Sequence, residues 1–264
     1  MDFRFGLAMK IGVMNDPSAS VYDEIISFGA AGYEFVDLTI EGPKALNPDI
    51  RRVLSLLDQY NLLVVGHTDP CLPYAYPIKR VRMACLRELE RCAKIFSALG
   101  AKIMNIHPCY SCPPGMKGAL VELNVEALKP IVEMADSHGL SVVFENFTEP
   151  FDRVSTYEVL LEEVSGLKVH LDFAHANMGK DDGEIFCRHL GRHIMHVHFS
   201  DNRASDDHHM PLGVGCIDWE KAVSALKAIG YDGAITLEVF CDDSRVAFQY
   251  LDVSRRFLLE LWNG

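Results

Sequence analysis

Runs rich in Val, Ile and Phe alternate along the chain with longer stretches in which apolar residues return at helical spacing, the pattern of βα units and a parallel sheet. Eight strands are predicted, over residues 3–9, 35–40, 62–67, 102–107, 141–147, 168–173, 194–199 and 234–240. Most are apolar throughout, as strands covered on both faces should be. Eight helices are expected between and after them, over 21–30, 48–60, 78–99, 120–138, 156–164, 184–190, 219–229 and 245–262. Gly32, Gly100, Gly139, Gly166 and Gly230 each follow a helical run and precede a strand, where a left-handed residue ends a helix.

A unit recurs about every 33 residues, and no Pro/Gly/Ser-rich linker divides the chain. The 264 residues therefore fit one closed (β/α)8 TIM barrel, a single α/β domain over 1–264 with its site at the C-terminal ends of the strands. A doubly wound open sheet uses the same alternation but needs a Gly-rich phosphate loop after its first strand. The segment Lys10-Ile11-Gly12-Val13-Met14-Asn15 has none.

Composition adds little to the fold and more to the partners. Hydrophobic residues make up 49% and charged residues 23%, so a sizeable core is within reach and disorder is not expected. The net charge of −12 disfavours phosphate backbones and anionic membranes, so a small-molecule ligand is expected rather than nucleic acid. No apolar run is long enough to span a bilayer. The eight cysteines are scattered from Cys71 to Cys241 and no signal-peptide pattern precedes them, which predicts a reducing, cytoplasmic setting. Cys109 and Cys112 form the only C-x-x-C, and a single such pair reads as incidental thiols.

Candidate chemistry appears where polar residues interrupt the strands, at their C-terminal ends. His67, His107, Glu145, Asp172, His198 and Glu238 occupy six successive strand ends, with His175, Asp207 and His209 just beyond. A lone histidine at a strand end is more often a satisfied turn residue than a ligand, so the weight falls on the carboxylates. Glu145, Asp172 and Glu238 are embedded in Val142-Val143-Phe144, Val169-His170-Leu171 and Ile235-Thr236-Leu237 and should point into a poorly solvated interior. Unpaired carboxylates there cost several kcal/mol. With few Lys or Arg at that rim, a shared divalent cation is the simplest compensation. His170 and His196 lie two positions before Asp172 and His198, on the same side but deeper, and read as structural.

Together Glu145-Asn146, Leu171-Asp172-Phe173-Ala174-His175-Ala176, His196-Val197-His198-Phe199-Ser200-Asp201, His209-Met210-Pro211-Leu212-Gly213-Val214-Gly215, Ile217-Asp218-Trp219 and Glu238 resemble the xylose-isomerase-like barrel superfamily, and within it the sugar-phosphate isomerase/epimerase group. The resemblance runs from His67 to Glu238. It implies a metal set of Glu145, Asp172, His198 and Glu238, with Mn²⁺ or Mg²⁺ as the suited ion. It also implies that Glu145 and Glu238 act as the two catalytic bases on opposite faces of a sugar or sugar phosphate. His67, His107, His175, Asp207 and His209 would bind substrate or further metal, and Arg203 would clamp a substrate oxygen or phosphate.

The same superfamily holds the endonuclease IV enzymes, whose nine-ligand, three-zinc pattern also maps onto His67, His107, Glu145, Asp172, His175, His198, Asp207, His209 and Glu238. Two departures favour the sugar reading: Glu145-Asn146-Phe147-Thr148-Glu149-Pro150 lacks the Gly-containing stretch after the Glu, and His107-Pro108-Cys109 lacks the nucleases' His-Pro-Gly. The rim loops are also mostly acidic. A third reading is a barrel that binds a sugar without turning it over. Gly213 and Gly215 either cradle a phosphate or shape a turn. The C-terminal run Phe257-Leu258-Leu259-Glu260-Leu261-Trp262 either pairs copies into a homo-oligomer or packs on the barrel.

Overall fold

The computed structural model describes residues 9–241 and 243–264. Eight strands, β1 (Lys10–Met14), β2 (Phe35–Ile40), β3 (Leu63–Thr68), β4 (Ile103–Ile106), β5 (Ser141–Glu145), β6 (Lys168–Asp172), β7 (Ile194–Phe199) and β8 (Ala234–Leu237), follow one another in sequence order round a closed parallel barrel. Closure is made by β1 and β8, with Lys10 to Val13 in register with Ala234 to Leu237. Outside them pack α1 (Val21–Ala30), α2 (Ile50–Tyr60), α3 (Lys79–Ala98), α4 (Leu120–Ser137), α5 (Val154–Glu163), α6 (Phe173–Met178), α7 (Gly183–Leu190), α8 (Trp219–Ala228) and α9 (Ser244–Asn263). None of the described helices is long and apolar enough to cross a membrane.

The first strand departs from expectation. Residues 3–8 of the expected strand lie outside the described residues, Met9 is not in a strand, and β1 is formed by Lys10–Met14, immediately after the expected span. Gly12 explains how a strand fits there. A Cβ on Gly12 would lie 2.5 Å from the Phe35 ring, so the missing side chain makes the space that Phe35 fills. The other seven strands fall within a few residues of their predicted bounds, and the five stop glycines all adopt φ between 67° and 87°.

Two apolar regions divide the core. The larger lies between strands and helices, and a small interior one is made of Phe35, Val65, Ile103, Val143 and Ala234. Strand side chains alternate between faces, so the residues two places further on, Asp37, His67, Asn105, Glu145 and Thr236, share the interior with them. His170, Asp172, His196 and His198 complete that interior polar layer on β6 and β7, where His170 pairs with His196 and Asp172 with His198. The barrel thus has an apolar floor and a buried polar upper half that opens at the strand C-termini, where barrel enzymes place their sites. The C-terminal run of α9 packs on this frame, with Leu258 fully buried and Phe257, Leu259, Leu261 and Trp262 against the core.

Candidate active site

Each of the last six strands delivers one group at its end. Glu145 closes β5, Asp172 closes β6, His67 and His198 are penultimate in β3 and β7, and His107 and Glu238 lie one residue beyond β4 and β8. Asp172 also caps α6, its Oδ1 accepting the His175 N–H at 2.7 Å. That short helix, which the sequence pattern did not predict, turns His175 back over the barrel mouth. Asn146 ties the ends of β5 and β6 together: its Oδ1 accepts the Asp172 N–H at 2.7 Å and its Nδ2 donates to the Asp172 carbonyl at 2.9 Å.

The nine residues singled out from the sequence form one contiguous cluster. Glu145 Oε2 lies 2.6 Å from Asn105 Nδ2, 3.1 Å from His107 Nε2 and 3.2 Å from His170 Nδ1, while its Oε1 lies 3.2 Å from His175 Nδ1. Asp207 Oδ2 stands 3.1 Å from His175 Nε2 and 3.2 Å from His209 Nε2. His198 Nδ1 faces Glu238 Oε2 at 2.9 Å and Asp172 Oδ2 at 3.9 Å. The His67 ring completes the group, 4.9 Å from His107 and 5.5 Å from His198 between centroids. Phe147 forms an apolar wall, its ring 4.5 Å from His175. Arg203, by contrast, is exposed and makes no hydrogen bond or ion pair with the cluster among the described residues. Cys109 and Cys112 are free thiols, and burial raises the pKa of Cys109.

The three carboxylates are as buried as their apolar neighbours implied, at 1%, 1% and 8% exposure for Glu145, Asp172 and Glu238. None of their ion pairs among the described residues involves Lys or Arg, and imidazoles surround them instead. Burial would raise Glu145, but the facing His107 and His170 hold it well below the usual carboxylate range, while burial pushes His170 itself well below the usual imidazole range. Asp172 is pushed up to about 7 by burial, helped by the negative neighbours Glu238 and Glu145. Burial would lower His175 and His198, yet Asp172 and Asp207 for the first, and Glu238 and Asp37 for the second, hold both well above 6.5. His209 rises to about 9 against its burial, through Glu238 and Asp207.

This donor set fits a divalent cation. Ligand atoms of Glu145, Asp172 and His198 all lie within 4.8 Å of one another, and so do those of His67, His107 and Glu145. Buried atoms with no hydrogen-bond partner gather at the same place, namely Asp172 Oδ2, His107 Nδ1, His209 Nδ1 and Asp207 Oδ1. Such orphans are costly unless something polar occupies the space between them. Oxygen donors with imidazoles are what Mn²⁺, Mg²⁺ or Zn²⁺ accept.

Three contributors escaped the sequence reading. Asp37 and Asn105 face the interior and touch the cluster from below, and Thr236 donates to Asp37. Asp37 lies in the middle of β2, and Asn105 and Thr236 lie two residues before the more conspicuous His107 and Glu238. Their signal was parity: each sits two residues after an apolar interior position. Asp201 is the fourth, and it organises the loop after β7. Its carboxylate accepts from Gly213 N at 2.9 Å, Trp219 Nε1 at 2.9 Å, Ile217 N at 3.2 Å and Asn202 N at 2.9 Å. This settles the two loop glycines as turn residues. The Gly213 N–H is spent on Asp201 at φ +83°, and a Cβ on Gly215 would lie 2.2 Å from the Asn202 carbonyl. Asp201→Ala should therefore lower unfolding stability by about 2–4 kcal/mol, since four donors lose a buried acceptor; an unchanged urea midpoint would contradict it.

An eight-stranded barrel with carboxylates and imidazoles converging at its mouth defines a class of enzyme-like folds, and sequence comparison gives the family. The profile of the xylose isomerase-like TIM barrel family matches residues 28–260, and the chain belongs to that family. Among individual relatives, an uncharacterized protein of Methanocaldococcus jannaschii is 28% identical over 90% of this chain and 84% of its own. The L-ribulose 3-epimerase of a Methylomonas species is 25% identical over 86% and 80%. A crystal structure described as a D-tagatose 3-epimerase-like protein superimposes with a TM-score of 0.84 at 24% identity, covering 97% of this chain and 98% of that one.

Proposed function

We propose that the protein is a divalent-cation-dependent sugar isomerase or epimerase that exchanges a proton on the carbon beside a carbonyl. The observation that carries the reading is the pair of buried carboxylates, Glu145 and Glu238, entering one cluster from strands three places apart, with Asp172 and His198 between them. The similarity to an L-ribulose 3-epimerase supports the same class. Glu145, Asp172, His198 and Glu238 would hold the cation. When bound, it supplies positive charge against the negative charge that develops as a carbon acid loses its proton.

The chain's own groups then divide the work. One glutamate removes the proton and the other returns one from the opposite face. Against their burial, Glu145 is held below the usual carboxylate range by His107 and His170, and Glu238 by His209 and His198. Either is therefore ionised at neutral pH and able to take the proton, and the one that returns a proton first takes it from solvent. His175 and His209, both held above the usual imidazole range, are the candidate sugar-binding groups at the mouth, and each would exchange its Nε2 contact with Asp207 for a sugar oxygen. Phe147 excludes water on one side of them.

A screen of free and phosphorylated ketoses in deuterated water, with Mn²⁺, Mg²⁺ or Zn²⁺ added, tests this directly. Deuterium should enter at the carbon beside the carbonyl of at least one ketose. A saturable rise in melting temperature with a sugar and no exchange would leave only a binding protein. A second reading has its own observation: all nine residues of the three-zinc endonuclease IV pattern are contiguous. Three ions and cleavage of abasic-site DNA would follow from it.

A further inference from the structure

Below the candidate cation ligands lies a carboxylate that the proposed proton transfer does not use. Asp37 sits in the middle of β2 with no exposed surface. Its Oδ2 is 2.7 Å from His198 Nε2, 2.9 Å from His196 Nε2 and 2.9 Å from Thr236 Oγ1, and its Oδ1 is 3.6 Å from His67 Nδ1. Interior-facing residues of four strands, β2, β3, β7 and β8, thus meet at one acceptor.

The consequence follows from the two nitrogens of an imidazole. A carboxylate only accepts, so the short His198 contact requires the proton on Nε2. A neutral ring with its one N–H spent there presents a lone pair at Nδ1. Nδ1 is the nitrogen that faces Glu238 Oε2 at 2.9 Å and Asp172 Oδ2 at 3.9 Å. By the same rule it carries a proton toward Glu238 in the ion-free chain, the one a cation would displace, while Nε2 keeps its proton on Asp37. We infer that Asp37 is a positioning residue: it fixes the tautomer and ring plane of His198 so that Nδ1 is aimed, unprotonated, at the cation held with Glu145, Asp172 and Glu238. This rests on the cation reading above. It makes Asp37 one link removed from the metal, an arrangement whose loss elsewhere weakens metal affinity by about 10–100-fold.

A purely structural role can be separated from this one, because Asp37 has a second imidazole partner. His196 takes the same oxygen but lies in the lower layer, and neither of its ring nitrogens pairs with Glu145, Asp172 or Glu238. If Asp37 only neutralised buried imidazoles, disturbing either partner would act alike.

The test is zinc affinity of the stripped full-length protein, read by competition with a chromophoric chelator, together with the visible spectrum of the cobalt form. Asp37→Asn should bind zinc about 10–100-fold more weakly and change the cobalt bands. His196→Gln should stay within about twofold of wild type, because it leaves the Asp37–His198 contact intact. Equal zinc affinity in Asp37→Asn and wild type overturns the inference, as does an equal loss in both variants. Should Asp37→Asn fail to fold, the long-range ¹H–¹⁵N spectrum of zinc-loaded wild type decides: a proton on Nε2 of His198 supports the inference and a proton on Nδ1 overturns it. Failure of wild type to bind zinc, manganese or cobalt at all would remove the cation reading, and this inference with it.

Discussion

Glu145→Gln and Glu238→Gln should each reduce net epimerisation or isomerisation by about 10²–10⁴-fold, the usual contribution of a positioned acid or base. The substitution is close to isosteric. A Gln at 145 still offers an oxygen to Asn105 Nδ2 and His107 Nε2, and at 238 to His198 Nδ1. The interior hydrogen bonds are largely kept while the capacity to take a proton is lost. Both variants also remove one negative charge from a site where Asp172 already rises to about 7 beside Glu145 and Glu238. The fold should therefore survive, with a melting temperature near that of wild type. Full turnover in either variant would end the two-base scheme, and a collapse of the fold would show that the carboxylate matters for structure first. The discriminating quantity is turnover at saturating metal in a protein shown by circular dichroism to be folded.

Much of the fold was legible in the sequence because a closed barrel repeats one rule eight times. Continuous apolar strands need cover on both faces, and glycine at φ near +75° ends helices wherever the chain must turn back to the sheet. The strand ends, read as the place where polar groups meet, led to all nine residues of the cluster. Arg203 shows where that approach stops. A loop arginine has no periodicity to place it, and it stands exposed. The first described strand follows the expected 3–9, most of which lies outside the described residues: residues 10–14 carry the pairing with β2 and β8, and Gly12 leaves the space that Phe35 fills. Asp37 and Thr236 stayed hidden because buried polar groups in mid-strand reveal their partners only when strands distant in sequence are brought together. Asp37 and Thr236 are 199 residues apart.

Removing divalent ions with a chelator should abolish turnover, and adding one back should restore it together with thermal stability. At a free ion concentration about 100 times Kd, binding to the folded chain adds about 2.7 kcal/mol. For a chain of this size that raises Tm by roughly 5–10 °C. The effect should weaken as pH falls from about 8 to 6. In the ion-free chain His198 is held well above 6.5 and Asp172 sits near 7, so both carry protons that the ion must displace, and displacement becomes harder as pH drops. Full stabilisation at pH 5.5 would argue that neither group is a ligand. The number of ions then separates the two functional readings. One manganese or magnesium per chain leaves His175, Asp207 and His209 free to hold substrate, and Asp207→Asn should not alter that count. Three zinc ions per chain would need Asp207 and His209 as ligands, in which case Asp207→Asn should lose at least one ion, and the phosphodiesterase reading would displace the epimerase.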